Sequence, residues 1–293
     1  MQKTILLTGA TGFLGSHLLE SFIKQDFKVI ILKRTSSDSW RINHLFDKVK
    51  IYDTDIDGFK KIFENEKIEI VINTVCNYER ASESLIDVVN ANLIFGLNLL
   101  DEAIKNNVKT FINTDSLLPR NLNNYSLSKA QLSDWLYKYS NQIQVINFKI
   151  EHMYGPRDDK KKFLPWLIGE MINGTNDINL TSGIQKRDFI YIDDVVDVYN
   201  IVIQKKLTLP KWNQFDVGTN LFTEVKEFVL TIANNLEKTT SKVIIARLKF
   251  GAISYRQGDI MIPELDNSKL LDLGWYPKIT FNKGIINLLK TLK

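Results

Sequence analysis

Short apolar runs recur through the first half of the chain, each bounded by polar residues and most followed by a stretch of helical spacing. Residues 4–7 read as a buried first strand and 16–23 as the helix behind it. Further strands are expected at 26–32, 49–52, 69–73, 110–113 and 144–150. Helices are expected from about 59–63, over 85–106 and over 127–140. This alternation predicts an α/β protein with a Rossmann-like, doubly wound parallel sheet. The regularity falls off after residue 150, with no repeat, low-complexity tract or Pro/Gly linker. The expected organisation is one domain over 1–150, to which 187–217 returns, and a smaller C-terminal lobe over the rest of 151–293.

Between the first strand and first helix stands Thr8-Gly9-Ala10-Thr11-Gly12-Phe13-Leu14-Gly15. A strand, a glycine turn and a helix in that order suit a bound pyrophosphate. Glycine lets backbone approach it closely, and the helix N-terminus presents N–H groups and a positive dipole end. Gly9, Thr11, Gly12, Phe13, Leu14 and Gly15 are therefore candidate cofactor contacts. The spacing is G-x-x-G-x-x-G, which a plain glycine-rich turn could also show.

The second strand ends at Lys33-Arg34-Thr35-Ser36. An acidic residue here would hydrogen-bond an adenosine ribose. Lys33 and Arg34, with Ser36 beside them, suit a 2′-phosphate instead, so the expected cofactor is NADP(H), with NAD(H) as the alternative. The fourth strand exits through Thr74 toward the carboxyl end of the sheet, where ligands bind in this architecture.

Of the ten tyrosines, only Tyr125 has a lysine four positions later, Lys129. On a helix the two share one face. A cation beside a phenol favours the phenolate and eases proton exchange with an alcohol or carbonyl. Thr114 and Ser116, at the end of the fifth strand, are candidate hydroxyls to stabilise charge on a reacting oxygen. An exposed Tyr/Lys pair and an ordinary strand-exit turn are the bland alternatives.

Composition narrows the class. Hydrophobic residues make up 44% and charged residues 25% of the 293 positions, ordinary values for a globular protein. A net charge of +4 is too mild to argue for nucleic acid. The single cysteine, Cys76, permits no internal disulfide and suits a reducing compartment. The first strand begins too near Met1 for a signal peptide, and no apolar run approaches a membrane span, so a cytoplasmic location is expected. No metal-ligand set is assigned.

The glycine turn and Tyr125-Ser126-Leu127-Ser128-Lys129 are joined by further motifs: Met153-Tyr154-Gly155-Pro156, Arg187-Asp188-Phe189-Ile190-Tyr191-Ile192-Asp193-Asp194-Val195, Asp216-Val217-Gly218, Arg256-Gln257-Gly258-Asp259 and Leu273-Gly274-Trp275. In that order they resemble the extended short-chain dehydrogenases/reductases of the NAD-dependent epimerase/dehydratase family. The segments 111–116, 150–155 and 185–191 look most like NADPH-dependent 4-ketoreductases of CDP-linked 4-keto-3,6-dideoxy sugars, which serve bacterial surface polysaccharide synthesis. The resemblance implies Tyr125 as general acid and Lys129 as the group that tunes it and holds the nicotinamide ribose. It implies Ser116, or Thr114 under a shifted alignment, as the catalytic hydroxyl. Asp55, with Ile56 beside it, would meet the adenine edge, and Asn92 would lie near the cofactor. His152, Arg187 and Arg256 would meet the nucleotide sugar, His152 standing where many relatives have Asn. Relatives often dimerise through helices equivalent to 86–106 and 126–140, so a homodimer is expected. Two departures stand out: only nine positions separate Ser116 from Tyr125, and Lys149 stands where relatives usually have Arg.

The leading expectation is reduction of a 4-keto nucleotide sugar. A 4-epimerase with bound NAD is the alternative, and a non-catalytic dinucleotide sensor the alternative of another class. A 4,6-dehydratase is disfavoured because Ser116 stands where those relatives carry a Glu base.

Overall fold

The apolar runs become strands with almost no solvent contact. In the computed structural model, which describes residues 3–79, 83–240, 246–256 and 258–292, every residue of β1 (Thr4–Thr8) is buried. β2 (Lys28–Lys33), β3 (Lys50–Asp53), β4 (Ile70–Asn73), β5 (Thr110–Ser116), β6 (Gln144–Ile150) and β10 (Trp212–Val217) complete a seven-stranded sheet. Its order is β10-β6-β5-β4-β1-β2-β3, and β3 through β6 run parallel. The chain winds outward from β1 in one direction and from β4 in the other. This order reversal opens a crevice at the carboxyl ends of β1 and β4, the ligand position of such sheets.

Helices α1 (Phe13–Lys24), α2 (Gly58–Asn65), α3 (Leu85–Val89), α4 (Phe95–Lys105) and α5 (Asn124–Tyr139) connect these strands. One core joins Leu6, Val71 and Phe111 of the sheet to Ile62, Leu99 and Leu132 of α2, α4 and α5. Two boundaries differ from the sequence expectation in ways that affect the site. α5 begins at Asn124, because Asn123 and Ser126 form a reciprocal cap, so Tyr125 lies in its first turn. The expected continuous helix 85–106 is interrupted by a π turn, Asn90–Ile94. There the carboxamide of Asn92 accepts from Asn77 N at 2.8 Å and donates to Asn77 O at 2.9 Å. This polar clasp accompanies the extra residue, and helical periodicity carries no trace of it.

The chain divides into two compact units, residues 1–150 with 198–216, and 151–197 with 217–293. The boundary falls inside α7 (Ile192–Lys205). The second unit contains β7 (His152–Tyr154), β9 (Lys186–Tyr191) and β11 (Phe222–Glu224) in one small sheet, and β8 (Asp177–Leu180) beside β12 (Arg247–Phe250) in another. α6 (Phe163–Asn173), α8 (Val225–Thr240), α9 (Ser268–Asp272) and α10 (Phe281–Lys290) belong to it. Phe189 and Phe228 stack at 3.7 Å in its core. Gln257, within the Arg256–Asp259 motif, lies outside the described residues. Among the described residues no helix is long and apolar enough to cross a membrane.

Candidate active site

The turn after β1 is closed by Gly12 N donating to Gly9 O at 2.9 Å. Gly9 has φ +73°, a left-handed conformation that disfavours a side chain. A Cβ on Gly15 would lie 2.1 Å from Gly9 O, so the first turn of α1 packs directly on the loop. The N-cap of α1 is Gly12, which has no side chain to satisfy the helix's first N–H groups. Phe13 and Leu14 bury their side chains in the core, leaving their backbone as the part that can meet a ligand. Thr74, at the exit of β4, donates its hydroxyl to Thr8 O at 2.8 Å and so joins the exits of β1 and β4. Thr11 carries a contact that sequence reasoning missed: its carbonyl accepts from Arg41 Nη1 at 3.2 Å. Arg41 lies in an irregular stretch where no periodicity marks it.

After β2, Ser37 donates to Arg34 O and Arg34 N to the Ser37 hydroxyl, folding 34–37 into a turn with Arg34 and Ser36 exposed. Lys33 Nζ donates to Arg34 O at 3.2 Å. Two carboxylates share this loop: Asp53 accepts from the Thr35 hydroxyl at 2.8 Å, and Asp55 from Thr35 N at 3.0 Å. Desolvation works to raise the Asp53 carboxyl. The bonds from Thr35 and Asp55 and the charge of Lys33 outweigh it and hold the group below its ordinary range. Ile56, beside Asp55, is 76% exposed.

Asp115 near the end of β5 and Tyr125 and Lys129 in the first turns of α5 are buried. Tyr125 is 8% exposed, its ring 5.0 Å from that of Tyr78 on the β4 exit. Lys129 is 1% exposed, and burial pushes its ammonium below the ordinary lysine range, against the opposing pull of Cys76 and Asp115. The Ser116 hydroxyl accepts from Leu118 N at 3.2 Å, while the Thr114 hydroxyl is bonded to buried Tyr199 at 2.6 Å. Asn92 is 1% exposed, and its carboxamide is bonded through both ends to the backbone of Asn77. Tyr78 and Asn77 follow the fourth strand in a stretch too short and irregular to have singled them out.

In the second unit, Arg187 pairs with Asp259 and donates to Ile260 O at 2.5 Å. Arg256 is exposed, its carbonyl accepting from Asp259 N at 3.1 Å. His152 Nδ1 meets the Glu151 carboxylate at 2.8 Å, and its ring packs edge to face with that of Phe189. Among the described residues no cluster of His, Cys, Asp and Glu could hold a metal ion.

The sheet order, the glycine turn and the buried Tyr–Lys helix are those of a dinucleotide-fold enzyme of the oxidoreductase or epimerase type. Residues 5–218 match the NAD dependent epimerase/dehydratase family, and the chain belongs to that family. It is 30% identical over 304 residues to CDP-abequose synthase of Salmonella typhimurium, covering 100% of this chain and 99% of that protein. It is 31% identical over 299 residues to CDP-abequose synthase of Salmonella muenchen, covering 99% and 98%. The crystal structure of UDP-glucose 4-epimerase from Thermotoga maritima with UDP-glucose superposes with a TM-score of 0.83 at 22% identity, over 99% of this chain and 100% of that one.

Proposed function

We propose that this chain is an NADPH-dependent reductase of the 4-keto group of a CDP-linked deoxy sugar, in the manner of CDP-abequose synthase, serving surface polysaccharide synthesis. The observation that carries the reading is the buried Tyr125–Lys129 pair on α5 in a chain that matches CDP-abequose synthases from end to end. The site fits a dinucleotide: the N-cap of α1 is a glycine with no side chain to satisfy the helix's first N–H groups, and Lys129 is an ammonium held out of water. Gly9, Thr11, Gly12, Gly15 and the backbone of Phe13 and Leu14 would hold the pyrophosphate, with Thr74 supporting the turn. Lys33, Arg34 and Ser36 would meet a 2′-phosphate, and Asp55 and Ile56 the adenine. When bound, a reduced nicotinamide would supply a hydride to the carbonyl carbon. Tyr125 gives its phenolic proton to the carbonyl oxygen, which leaves an alcohol and a phenolate that solvent reprotonates. Lys129 stabilises that phenolate and holds the nicotinamide ribose. Ser116, whose hydroxyl keeps its proton while accepting from Leu118 N, donates to the oxygen as charge develops; Thr114 is the rival hydroxyl. Arg187, Arg256 and His152 would bind the nucleotide sugar.

The test is NADPH oxidation against a panel of nucleotide-linked 4-keto sugars led by CDP-4-keto-3,6-dideoxyglucose, with the product identified. Tyr125→Phe is expected to lower kcat by ~10³-fold. Intact turnover in that variant would refute the assignment. NADPH is expected to bind more tightly than NADH, and the reverse order would remove the 2′-phosphate reading.

A second reading is a nucleotide-sugar 4-epimerase that keeps NAD bound. Asp53 and Asp55 beside the β2 exit favour it, because carboxylates suit ribose hydroxyls and oppose a phosphate. Interconversion of UDP-glucose and UDP-galactose without net redox change would establish it. The assembly proposed is a homodimer through α3, the π turn, α4 and α5, where Ile86, Ile94 and Trp135 are 62%, 41% and 40% exposed. A monomer by light scattering at micromolar concentration would remove it.

A further inference from the structure

A polar layer crosses the otherwise apolar parallel sheet. Thr8, Asn73, Asn113 and Asn147 lie in register on β1, β4, β5 and β6, each no more than 2% exposed. Buried amides destabilise a sheet unless they are paired, and these are paired with one another. The Thr8 hydroxyl donates to Asn73 Oδ1 at 2.9 Å, Asn73 Nδ2 to Asn113 Oδ1 at 3.1 Å, and Asn113 Nδ2 to Asn147 Oδ1 at 2.8 Å. Asn147 Nδ2 then donates to Asp115 Oδ2 and to the Ser133 hydroxyl, both at 3.0 Å.

Every bond in this chain points the same way, and the reason lies at its end. An ionised carboxylate only accepts, so Asn147 must turn its NH₂ toward Asp115 and its oxygen toward Asn113. Each amide then orients the next, as far as Thr8. Two parts of the site hang on that direction. Asn73 Oδ1 also accepts from Val75 N at 3.3 Å, which places the exit of β4 beside Thr74. Ser133 lies one turn beyond Lys129 on the same face of α5. The other oxygen of Asp115 accepts from Ser116 N at 2.8 Å.

We propose that Asp115 is a positioning residue: its carboxylate sets the direction of the buried amide chain, and through that chain holds the Tyr125–Lys129 face of α5 in register with the exits of β1 and β4. The functional half of this inference rests on Tyr125 and Lys129 being the proton-donating pair; the structural half does not.

The test uses the full chain. Asp115→Asn replaces the obligate acceptor with a group that can turn either way. Amide hydrogen exchange by mass spectrometry is expected to quicken by ~10-fold at both ends of the chain, around Val75 and over 125–133, with β2 and β3 unchanged. kcat is expected to fall by ~10-fold with KM for NADPH within about two-fold, as for a misplaced catalytic group. The exchanged pair Asp115→Asn with Asn147→Asp keeps a carboxylate where it accepts from Asn113, and is expected to restore both readouts. Unchanged exchange around Val75 in a folded Asp115→Asn protein, or no recovery in a folded exchanged pair, overturns the proposal. If Asp115→Asn fails to fold, Ser133→Ala cuts the α5 link alone; unchanged exchange over 125–133 there overturns it equally. Exchange needs no substrate, so a wrong substrate assignment appears as absent turnover with these exchange shifts intact.

Discussion

In the first unit, strands of up to seven residues pair in parallel, and helices cover an almost wholly apolar core. In the second, β7 and β11 have three residues each, and distant loops are tied down by buried carboxylates. Asp188 accepts from Thr219 N and its hydroxyl, both at 2.9 Å, and from Asn220 N at 2.6 Å. Asp194 accepts from Lys278 N and Ile279 N, both at 3.0 Å, beside a buried Trp275 whose indole donates to the Asp194 carbonyl. A backbone ladder spreads its stability over many neutral bonds. A carboxylate clasp concentrates it in one charge. The first unit therefore rests mainly on backbone ladders, with side-chain bonds set between them, and the second ties its loops through carboxylates.

The strongest way to break the first half of this comparison is Gly15→Ala. The added Cβ meets Gly9 O at 2.1 Å, so the turn must open. A loss of roughly 1–3 kcal/mol in stability is expected from overpacking. Dinucleotide affinity is expected to fall by ~100-fold, about 2.7 kcal/mol, in a fluorescence titration. Wild-type affinity in this variant would show that the turn does not cradle the cofactor.

The second half is probed by Asp188→Asn. One of two accepting oxygens is replaced by a donor facing backbone N–H groups. A loss of about 2 kcal/mol is expected from broken charge-assisted bonds, read as a lowered Tm, with NADPH affinity changed by less than about two-fold. An unchanged Tm would mean the clasp is ornamental.

The smallest effect is in pH, where the units should move in opposite directions. Burial raises the carboxyls of Asp188 and Asp194 above their ordinary value of 3.8, against the pull of the N–H groups they accept from. The native state then holds their protons more tightly than the unfolded chain, so their contribution is full below 3.8 and falls as pH rises through the raised values. Glu66, in the first unit, behaves conversely. Burial works to raise it, but Lys50, Lys28 and Tyr52 outweigh that and hold it below 4.5. Its contribution is present above that value and lost as pH falls through the depressed one. Hydrogen exchange, corrected for intrinsic rates, is expected on acidification to slow around Thr219–Asn220 and to quicken around β3. Parallel behaviour in both units would discard the contrast, and Asp188→Asn or Glu66→Gln should each erase one slope.

Periodicity made the alternating strands and helices of the first unit legible, because a parallel buried strand is an apolar run and its helix an amphipathic one. The glycine turn was equally plain, since its spacing encodes a close approach of backbone to backbone. Tyr125 and Lys129 were visible as a pair four apart. Their burial was not, nor the electrostatic reach of Asp115 and Cys76. The second unit was legible only as motifs. Asp188 and Asp194 stood in one, but the groups they hold lie 31–32 and 84–85 positions away.

The sequence by itself determined the fold class and the alternation of strands and helices along the first unit, because these follow from local periodicity and spacing. Only the tertiary structure decided that Thr114 is bonded to Tyr199, that Asn92 sits in a π turn clasping Asn77, and that three asparagines on separate strands form one directed chain. Those arrangements depend on which strands become neighbours and in what register. Hydrogen bonds between side chains act over about 3 Å in space, and separation along the chain leaves no pattern from which that proximity can be read.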